Sequence, residues 1–205
     1  MTAPGWGTPS WAASEAGLVL VVSARAAWPE PGDTGTPPPP AGFVGSSFPG
    51  LVSTVADRCL ERGAQRTADA AGRTRRSPLA KPVRRTAVIV VSLHGDTDTA
   101  TAVAQAVDAG DRVQPLLFFQ SVPNAVAGRI AARWGLNGPV VCVSPMGDPA
   151  AEGRELAELV IRDGDADEAL LLLVQRGADG PPDRATGLLL TVAQPTENTD
   201  EGRGA

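Results

Sequence analysis

The sequence predicts an α/β domain built on a mostly parallel sheet of about five strands, with helices on both faces and an antiparallel last strand. Three observations lead to this class. Short apolar runs alternate with longer segments of helical period, which is the pattern of strands connected by helices. Several of these runs consist mostly of Val, Leu, Ile and Ala, as in strands covered on both faces. The connection at residues 177–183 is so short that the final strand is expected to run against its predecessor.

The individual elements follow from the spacing of the apolar residues. Strands are expected at residues 18–23, 87–91, 140–144, 169–174 and 187–193, with 169–174 at the centre of the sheet. Helices are expected at residues 53–62, 97–108, 123–134 and 149–163, and 114–121 is predicted to be an irregular apolar stretch. Ser53 or its neighbours are expected to cap the first helix, and Pro123 to begin the third. The helix residues predicted to face the core are Leu51, Val55, Ala56, Cys59, Leu60, Val126, Ala127, Ile130, Ala131, Trp134, Leu156, Leu159 and Val160.

The chain of 205 residues is long enough for one domain with tails. Residues 1–16 are predicted to be a disordered lead, 17–195 the folded domain, and 196–205 a disordered acidic tail. Within the domain, residues 29–42 form a proline-rich crossing, which cannot enter the interior of a sheet. Residues 63–85 are predicted to be a basic loop.

Charge is unevenly distributed along the chain, whose net charge is -5. Residues 58–85 carry nine basic and two acidic side chains, whereas residues 86–205 carry eight basic and seventeen acidic ones. The basic stretch could attract phosphate or an acidic protein. Aromatic residues do not interrupt it, and the chain has no Tyr and four each of Phe and Trp. A solvated loop and no nucleic-acid partner are therefore expected.

The composition favours a cytoplasmic protein that does not contact a membrane. Residues 17–22 imitate the apolar core of a signal peptide, but Glu15 precedes them and no basic residue does. No run approaches the roughly 18 apolar residues of a membrane span. The two cysteines, Cys59 and Cys142, are too few for a disulfide framework, so reduced thiols are expected.

The sequence offers little recognisable chemistry. Neither of the common glycine-rich phosphate loops follows a strand. Ser92, His94 and Asp96 alternate at the end of one strand, but roles in a turn and a helix cap are favoured over catalysis. Ser144 lacks the flanking glycines of a nucleophile elbow. With one histidine in the chain and Cys142 in the middle of a strand, no metal and no cofactor are expected.

The order of parts in the second half of the chain is distinctive. Residues 118–144 read FFQSVPNAVAGRIAARWGLNGPVVCVS, and a turn, a helix, the sequence DGDAD at 163–167 and an apolar strand follow. This order resembles the N-terminal half of β-ketoacyl synthases, above all the β-ketoacyl synthase-like N-terminal domains of the thiolase-like superfamily. The likeness covers roughly residues 17–195. It implies half of a thiolase-like fold, because a complete synthase carries two similar halves.

The resemblance also implies what the chain does not do. In active synthases a cysteine at the start of the helix after this strand accepts the acyl chain, and its place falls on Gly147. Two histidines from the C-terminal half complete the family's condensation chemistry, whereas His94 lies in the other half. The resemblance therefore implies no catalytic residue in this chain and no ketosynthase activity of the isolated protein.

The resemblance points to binding surfaces instead. In the family, the stretch matching residues 115–124 borders the acyl channel and the subunit contact. The strand from Val140 to Ser144 corresponds to one that pairs with its partner's copy, which would also cover an apolar sheet edge. A homodimer through this strand, a ketosynthase or an acyl carrier protein is therefore the expected partner. The candidate acyl-channel or interface residues are Phe118, Phe119, Asn124 and Met146.

Three functions stay open at this point. The first is a catalytically degenerate accessory subunit of fatty acid or polyketide biosynthesis. The second is one half of a split ketosynthase, an acyltransferase, completed by another chain that brings two histidines and a cysteine. The third is a stand-alone binding protein without enzymatic activity.

Overall fold

The computed structural model describes residues 18–73, 84–122, 124–177 and 183–193, with backbone only for residues 70–73. The predicted lead 1–16 and the predicted acidic tail 196–205 lie outside the described residues, as does Pro123. The elements in chain order are β1 (Leu20–Trp28), α1 (Phe48–Arg73), β2 (Thr86–Ser92), α2 (Thr97–Asp108), α3 (Pro115–Gln120), α4 (Asn124–Trp134), β3 (Val140–Val143), α5 (Pro149–Arg162), β4 (Glu168–Gln175) and β5 (Arg184–Val192).

The strands form one five-stranded sheet in the order β1-β5-β4-β2-β3. β2 pairs in parallel with β3 and with β4, whereas β5 is antiparallel to both β4 and β1. The α/β class and the antiparallel last strand are confirmed, and β4 lies at the centre as predicted. The sheet is mixed rather than mostly parallel because β5 lies inside it and contributes two antiparallel pairings.

Helices cover both faces of the sheet. Alternate residues of β2 and β4 point to opposite sides, which is the two-residue period of a strand. On one side they pack with α1 and α4, including the fully buried Val88 and Leu170. On the other side they pack with α5, including the fully buried Ile89 and Leu171. None of the helices in the described ranges has the length and apolar character needed to cross a membrane.

Helix α1 differs from its prediction at both ends. It begins at Phe48, whose backbone N–H donates to the Ser46 hydroxyl at 3.1 Å, and not near Ser53. It continues to Arg73, so the first half of the predicted basic loop is helical; residues 74–83 lie outside the described part. Residues 63–73 include four alanines and no proline, and this composition favours a helix over a loop.

Two further predictions are wrong. Val21 and Val22 of β1 are exposed because β1 is an edge strand, so β1 is not covered on both faces. On α5, the prediction is wrong for Leu159, which is exposed, whereas Leu156 and Val160 are partly buried and pack against the core as predicted. The smaller Gly153 and Ala157 face the sheet instead, together with Ile161. A Cβ at Gly153 would lie 2.6 Å from Leu171 Cδ1, so a larger residue would push this helix away from the strands.

The proline-rich crossing is attached to α1. Pro37 is fully buried, and a Cβ at Gly50 would overlap its carbonyl oxygen, so glycine permits the close approach. Two bidentate ion pairs attach the first part of the crossing to α1. Arg58 donates to both carboxylate oxygens of Asp33 at 2.7 and 2.6 Å. Arg62 does the same to Glu30, also at 2.7 and 2.6 Å.

These ion pairs predict a loss of stability in acid. Hydrogen bonds from Arg62 and Arg58 lower the pKa of Glu30 and of Asp33 to about 2, from ordinary values of 4.5 and 3.8. Carboxyls with lowered pKa values stabilise the fold above their ordinary pKa and lose that contribution as the pH falls towards 2. We expect Glu30→Gln combined with Asp33→Asn to reduce stability at pH 7 and to flatten its decline between pH 5 and 2. Thermal melts across pH 2–7 measure this.

The matched control for this experiment is Asp165→Asn, which removes a carboxylate from an exposed turn. This variant should retain the pH profile of the wild-type chain. A double variant whose melting temperature falls with acid as steeply as that of the wild type would show that the two ion pairs do not hold the crossing.

Candidate functional site

A cavity of about 690 Å³ opens at the edge of the sheet where β2 and β4 end and β5 begins. The turn between β3 and α5 forms its other wall. Ligands of open α/β sheets commonly bind at the carboxyl ends of the strands, so this is the candidate site. The lining residues used below are Ser92, Leu93, His94, Met146, Gly147 and Arg176.

The turn that carries Gly147 is anchored on both sides. The Ser144 hydroxyl donates to the carbonyl oxygen of Leu93 at 2.7 Å and ties this turn to the end of β2. Asp148 caps α5 by accepting the backbone N–H of Ala151 at 2.7 Å, and Pro149 follows as the first helical residue. The backbone at position 147 is therefore held at the N-terminus of α5.

A carboxylate from the first turn of α5, that of Glu152, reaches back to this backbone. The N–H of Met146 donates to Glu152 Oε1 and Oε2 at 3.0 and 3.1 Å, and the N–H of Gly147 also donates to Oε1. Sequence reasoning missed Glu152. Its only signal was an acidic residue in the first turn after the cap, which is common at helix starts.

Two of the three polar residues at the end of β2, Ser92 and Asp96, serve the local fold. The Ser92 hydroxyl accepts the N–H of Gly95 at 3.2 Å within the turn. Asp96 caps α2 by accepting the N–H and the hydroxyl of Thr99 at 3.1 and 2.8 Å. The described hydrogen bonds of Ser92 and Asp96 do not include His94, which lines the cavity. The interpretation as a turn and a helix cap is the one that this geometry favours.

Arg176, which sequence reasoning also missed, is one of the two arginines that line the cavity, together with Arg184. Its side chain is 13% exposed and donates to Asp98 at 2.7 Å, and its Nε lies 3.4 Å from Asp183. Burial alone would lower the pKa of Arg176, but the carboxylates of Asp98, Asp183 and Asp96 outweigh it and the pKa is raised. Within the described residues its Nη1 atom is buried without a hydrogen-bond partner.

The carboxylates around Arg176 connect it to the start of α1. The Ser46 hydroxyl donates to Asp96 at 2.5 Å, and the Ser47 hydroxyl donates to Asp183 at 3.1 Å. One polar network therefore joins the starts of α1 and α2 to the C-terminal end of β4 and the N-terminal end of β5. Because α1 and α2 are far apart in sequence, this network could not be predicted from local patterns.

Helix α3 has its polar residue inside and its aromatic residues outside. Gln120 is 3% exposed; its amide exchanges hydrogen bonds with the backbone N–H and carbonyl of Val44 at 3.0 and 2.6 Å. Phe118 and Phe119 are 63% and 60% exposed. We use the name α3 apolar surface for the exposed side chains of this region, which are Val44, Leu116, Phe118, Phe119 and Val122.

Strand β3 is an edge strand of the sheet. In the described part of the chain it pairs only with β2, and its four residues are half-buried. Its outer backbone groups therefore face away from the sheet, as on any edge strand. The resemblance implied that this strand lies at an edge, and the topology agrees. Its pairing with a partner stays a prediction.

The structure separates the predicted binding residues into two places. Met146 and Gly147 line the cavity, and the side chain of Met146 is fully exposed. Phe118 and Phe119 lie on the α3 apolar surface, and Asn124 is exposed at the start of α4. The stretch at 114–121 is thus a short helix rather than irregular. The prediction of Asn124, Met146 and the two phenylalanines as ligand or interface residues stays a prediction.

Both cysteines lie within secondary-structure elements, Cys59 in α1 and Cys142 in β3. Cys59 lies on the core-facing side of α1 and is fully buried, as predicted, and Cys142 is half-buried in β3. Burial raises the pKa of each thiol to about 11. Within the residues that the structure describes, no three or more His, Cys, Asp or Glu side chains are grouped so that they could hold a metal ion.

Comparison with known proteins identifies the family. The profile of the "Beta-ketoacyl synthase, N-terminal domain" family matches residues 54–172, which is more than half of the chain. The chain belongs to the β-ketoacyl synthase N-terminal domain family. The resemblance found in the sequence is thereby confirmed. No curated protein matches the chain.

Solved ketosynthase structures share the fold of this family member. The ishigamide ketosynthase/chain length factor matches with a TM-score of 0.57 and 18% identity, over 77% of this chain and 47% of that one. A ketosynthase from Xenorhabdus doucetiae, ApeO, in complex with its chain length factor ApeC, matches with a TM-score of 0.53 and 18% identity, over 73% and 59%.

A third structure contains a carrier protein. It is AntDE:AntF, a type II polyketide synthase acyl-carrier protein in complex with its ketosynthase bound to the hexaketide. It matches with a TM-score of 0.56 and 14% identity, over 87% of this chain and 64% of that one. The ketosynthase-family chain therefore spans less than two thirds of each of these three proteins. At these identities the likeness establishes part of the ketosynthase fold.

The raised pKa values of the two cysteines predict thiols that react slowly. Because the pKa of both cysteines is raised to about 11, each is almost wholly protonated at pH 7.5. We expect iodoacetamide to alkylate the folded chain on the order of a hundredfold more slowly than a free thiol. Mass spectrometry over time measures the rate, and unfolding in urea should expose both thiols. Rapid labelling of Cys142 in the folded chain would contradict its assignment as a structural residue.

Proposed function

We propose that this ketosynthase-family chain is a non-catalytic accessory subunit of fatty acid or polyketide biosynthesis, which acts by binding a second synthase-type subunit. The observation that carries this proposal is the turn at Gly147. Its backbone is held at the N-terminus of α5, where the family resemblance expects the nucleophile, and it presents no side chain beyond hydrogen.

The chemistry of acyl transfer supports the loss of activity. Covalent catalysis of this type needs a nucleophile activated by a base or by its surroundings. Position 147 supplies no nucleophile, and the chain has one histidine, His94. Cys142 cannot substitute, because its thiol is half-buried in β3 and its pKa is raised to about 11. Ser144 uses its hydroxyl to hold the carbonyl of Leu93.

Two surfaces support a role in assembly. The α3 apolar surface exposes two phenylalanines while a glutamine anchors the helix from inside. This arrangement favours a covered surface, since exposed apolar patches commonly mark protein contacts. The edge of β3 offers unpaired backbone groups to another strand. Two of the similar solved structures pair a ketosynthase with a chain length factor, a precedent for a two-subunit assembly.

A split ketosynthase is the second candidate. The observation in its favour is that the chain spans between 47% and 64% of the three ketosynthase structures described above. In that case another chain must bring two histidines and a cysteine that reaches the cavity. Recovery of condensation activity when such a chain is co-expressed distinguishes this candidate from an accessory subunit.

The assembly can be tested on the α3 apolar surface. Phe118→Glu combined with Phe119→Glu places two charges where a partner would have to cover them, and we expect at least tenfold weaker association. The tagged chain is purified from its native cells, its partner is identified by mass spectrometry, and its mass is measured by sedimentation. The wild type should carry a ketosynthase or a second copy of its own 21.0 kDa chain.

The matched control is Leu159→Glu, which adds a charge at an exposed leucine on α5, outside the α3 apolar surface. This variant should assemble like the wild type. A wild-type chain that is monomeric and purifies without a partner would refute the assembly role and favour a stand-alone binding protein.

The absence of activity can be tested directly. We expect the purified chain alone to accept no radiolabelled acyl group from an acyl carrier protein and to release no CO₂ from malonyl carrier protein above the protein-free background. The physical reason is the missing nucleophile at Gly147. A labelled acyl adduct on any residue of the purified chain, or measurable decarboxylation, would contradict the proposal.

A further inference from the structure

We propose that Glu152 is an autoinhibitory side chain, whose carboxylate closes the turn at Gly147 to acyl-transfer chemistry independently of the missing thiol. The inference rests on the proposed function, because it concerns the regulation of the same turn. It goes further by stating that two features of this chain, the absent side chain of Gly147 and the carboxylate of Glu152, keep this position unreactive. A thiol introduced at position 147 would then stay unreactive as long as Glu152 is present.

The first argument concerns the backbone N–H groups of the turn, which can stabilise negative charge. The N–H groups of Met146 and Gly147 point to one carboxylate, at the N-terminus of a fourteen-residue helix. Such donors and the positive end of a helix lower the pKa of a nearby thiol and stabilise negative charge that develops in a reaction. Here Glu152 takes both donors, so they are not available to a thiolate or to a reacting oxygen.

The second argument is the distance between Glu152 and position 147. A Cβ built on Gly147 would lie 3.1 Å from Glu152 Oε1, which is tighter than an ordinary contact. A thiol on that Cβ would therefore lie beside a negative charge. Like charges at this separation raise the pKa of the weaker acid, so the thiol would stay protonated at neutral pH.

The third argument is that α5 has another cap. Asp148 already accepts the N–H of Ala151 at 2.7 Å, and Pro149 needs no hydrogen bond for its nitrogen. Glu152 bonds to backbone groups before the cap, in a turn that Ser144 holds at its other end. Replacing Glu152 by Gln is therefore expected to leave α5 folded while removing the negative charge from beside the two N–H groups.

The experiment compares an introduced thiol with and without this carboxylate, in the full chain. Gly147→Cys is prepared alone and together with Glu152→Gln, which keeps the shape of the side chain and removes its charge. Alkylation by iodoacetamide reports the thiolate: its sulfur forms a bond to the CH₂ carbon, iodide leaves, and the thiol proton goes to the buffer. Rates from pH 6 to 10 give the pKa of the introduced thiol, over the slow background of Cys59 and Cys142.

With Glu152 present, the introduced thiol should have a pKa at or above the ordinary value of about 8.5. Glu152→Gln should lower this pKa by about one unit and raise the alkylation rate at pH 7 by about tenfold. The matched control is Glu155→Gln, an exposed glutamate on the same helix, which should change neither value. Equal pKa values with and without Glu152, or an equal effect of Glu155→Gln, would overturn the proposal.

A second position guards against misfolding at residue 147. The side chain of Met146 is fully exposed, so Met146→Cys removes no packing, and its backbone N–H also donates to Glu152. The same pair of measurements should show a shift in the same direction, and no shift would again overturn the proposal. Partner capture by the single variant Glu152→Gln distinguishes a failure of the role proposed for Glu152 from a failure of the accessory function. A failed thiol test with normal capture refutes the role of Glu152 and leaves the accessory function standing.

Discussion

The parallel pairing of β2 with β4 is the constraint on which the rest of the structure depends. The register places Val91 opposite Leu173 and Ser92 opposite Val174, so the turn after β2 and the end of β4 lie at the same edge. All seven residues of β2 are buried between α1 and α4 on one side and α5 on the other. A shift of one residue would turn every one of these side chains to the opposite face, so the register is strongly specified.

This edge concentrates polar groups that the core cannot hold. Arg176 leaves the apolar strand β4 directly into a group of aspartates from α2 and from the start of β5. Glu152 satisfies the backbone of the turn on the other side of the same cavity. The chain thus satisfies with its own side chains many of the polar groups that face the cavity.

The elements that were predicted well share one property, which is a local pattern with clear ends. Helix α2 was predicted from Thr97 to Asp108 as observed, because Asp96 is a strong cap and Gly110 follows the last turn. The predictions that failed involve choices between similar local alternatives. Helix α1 begins at Phe48 and not near Ser53, because the Ser46 hydroxyl accepts the backbone N–H of Phe48. That hydroxyl is itself held by Asp96, which lies fifty residues away in the chain. Gly153, rather than Leu159, faces the sheet because α5 lies so close to Leu171 that a Cβ at position 153 would overlap its side chain.

The sequence by itself determined the class of the fold, the strand at its centre, the family and the glycine at position 147, because apolar period and residue identity are properties of the chain alone. The tertiary structure decided that β5 lies inside the sheet, that Gln120 is buried while Phe118 and Phe119 are exposed, and that Arg176 and Glu152 flank the cavity. These features depend on contacts between residues that are distant in the chain, or on the exact turn geometry. Such contacts exist only where the sheet brings the strand ends together, and no local pattern encodes them.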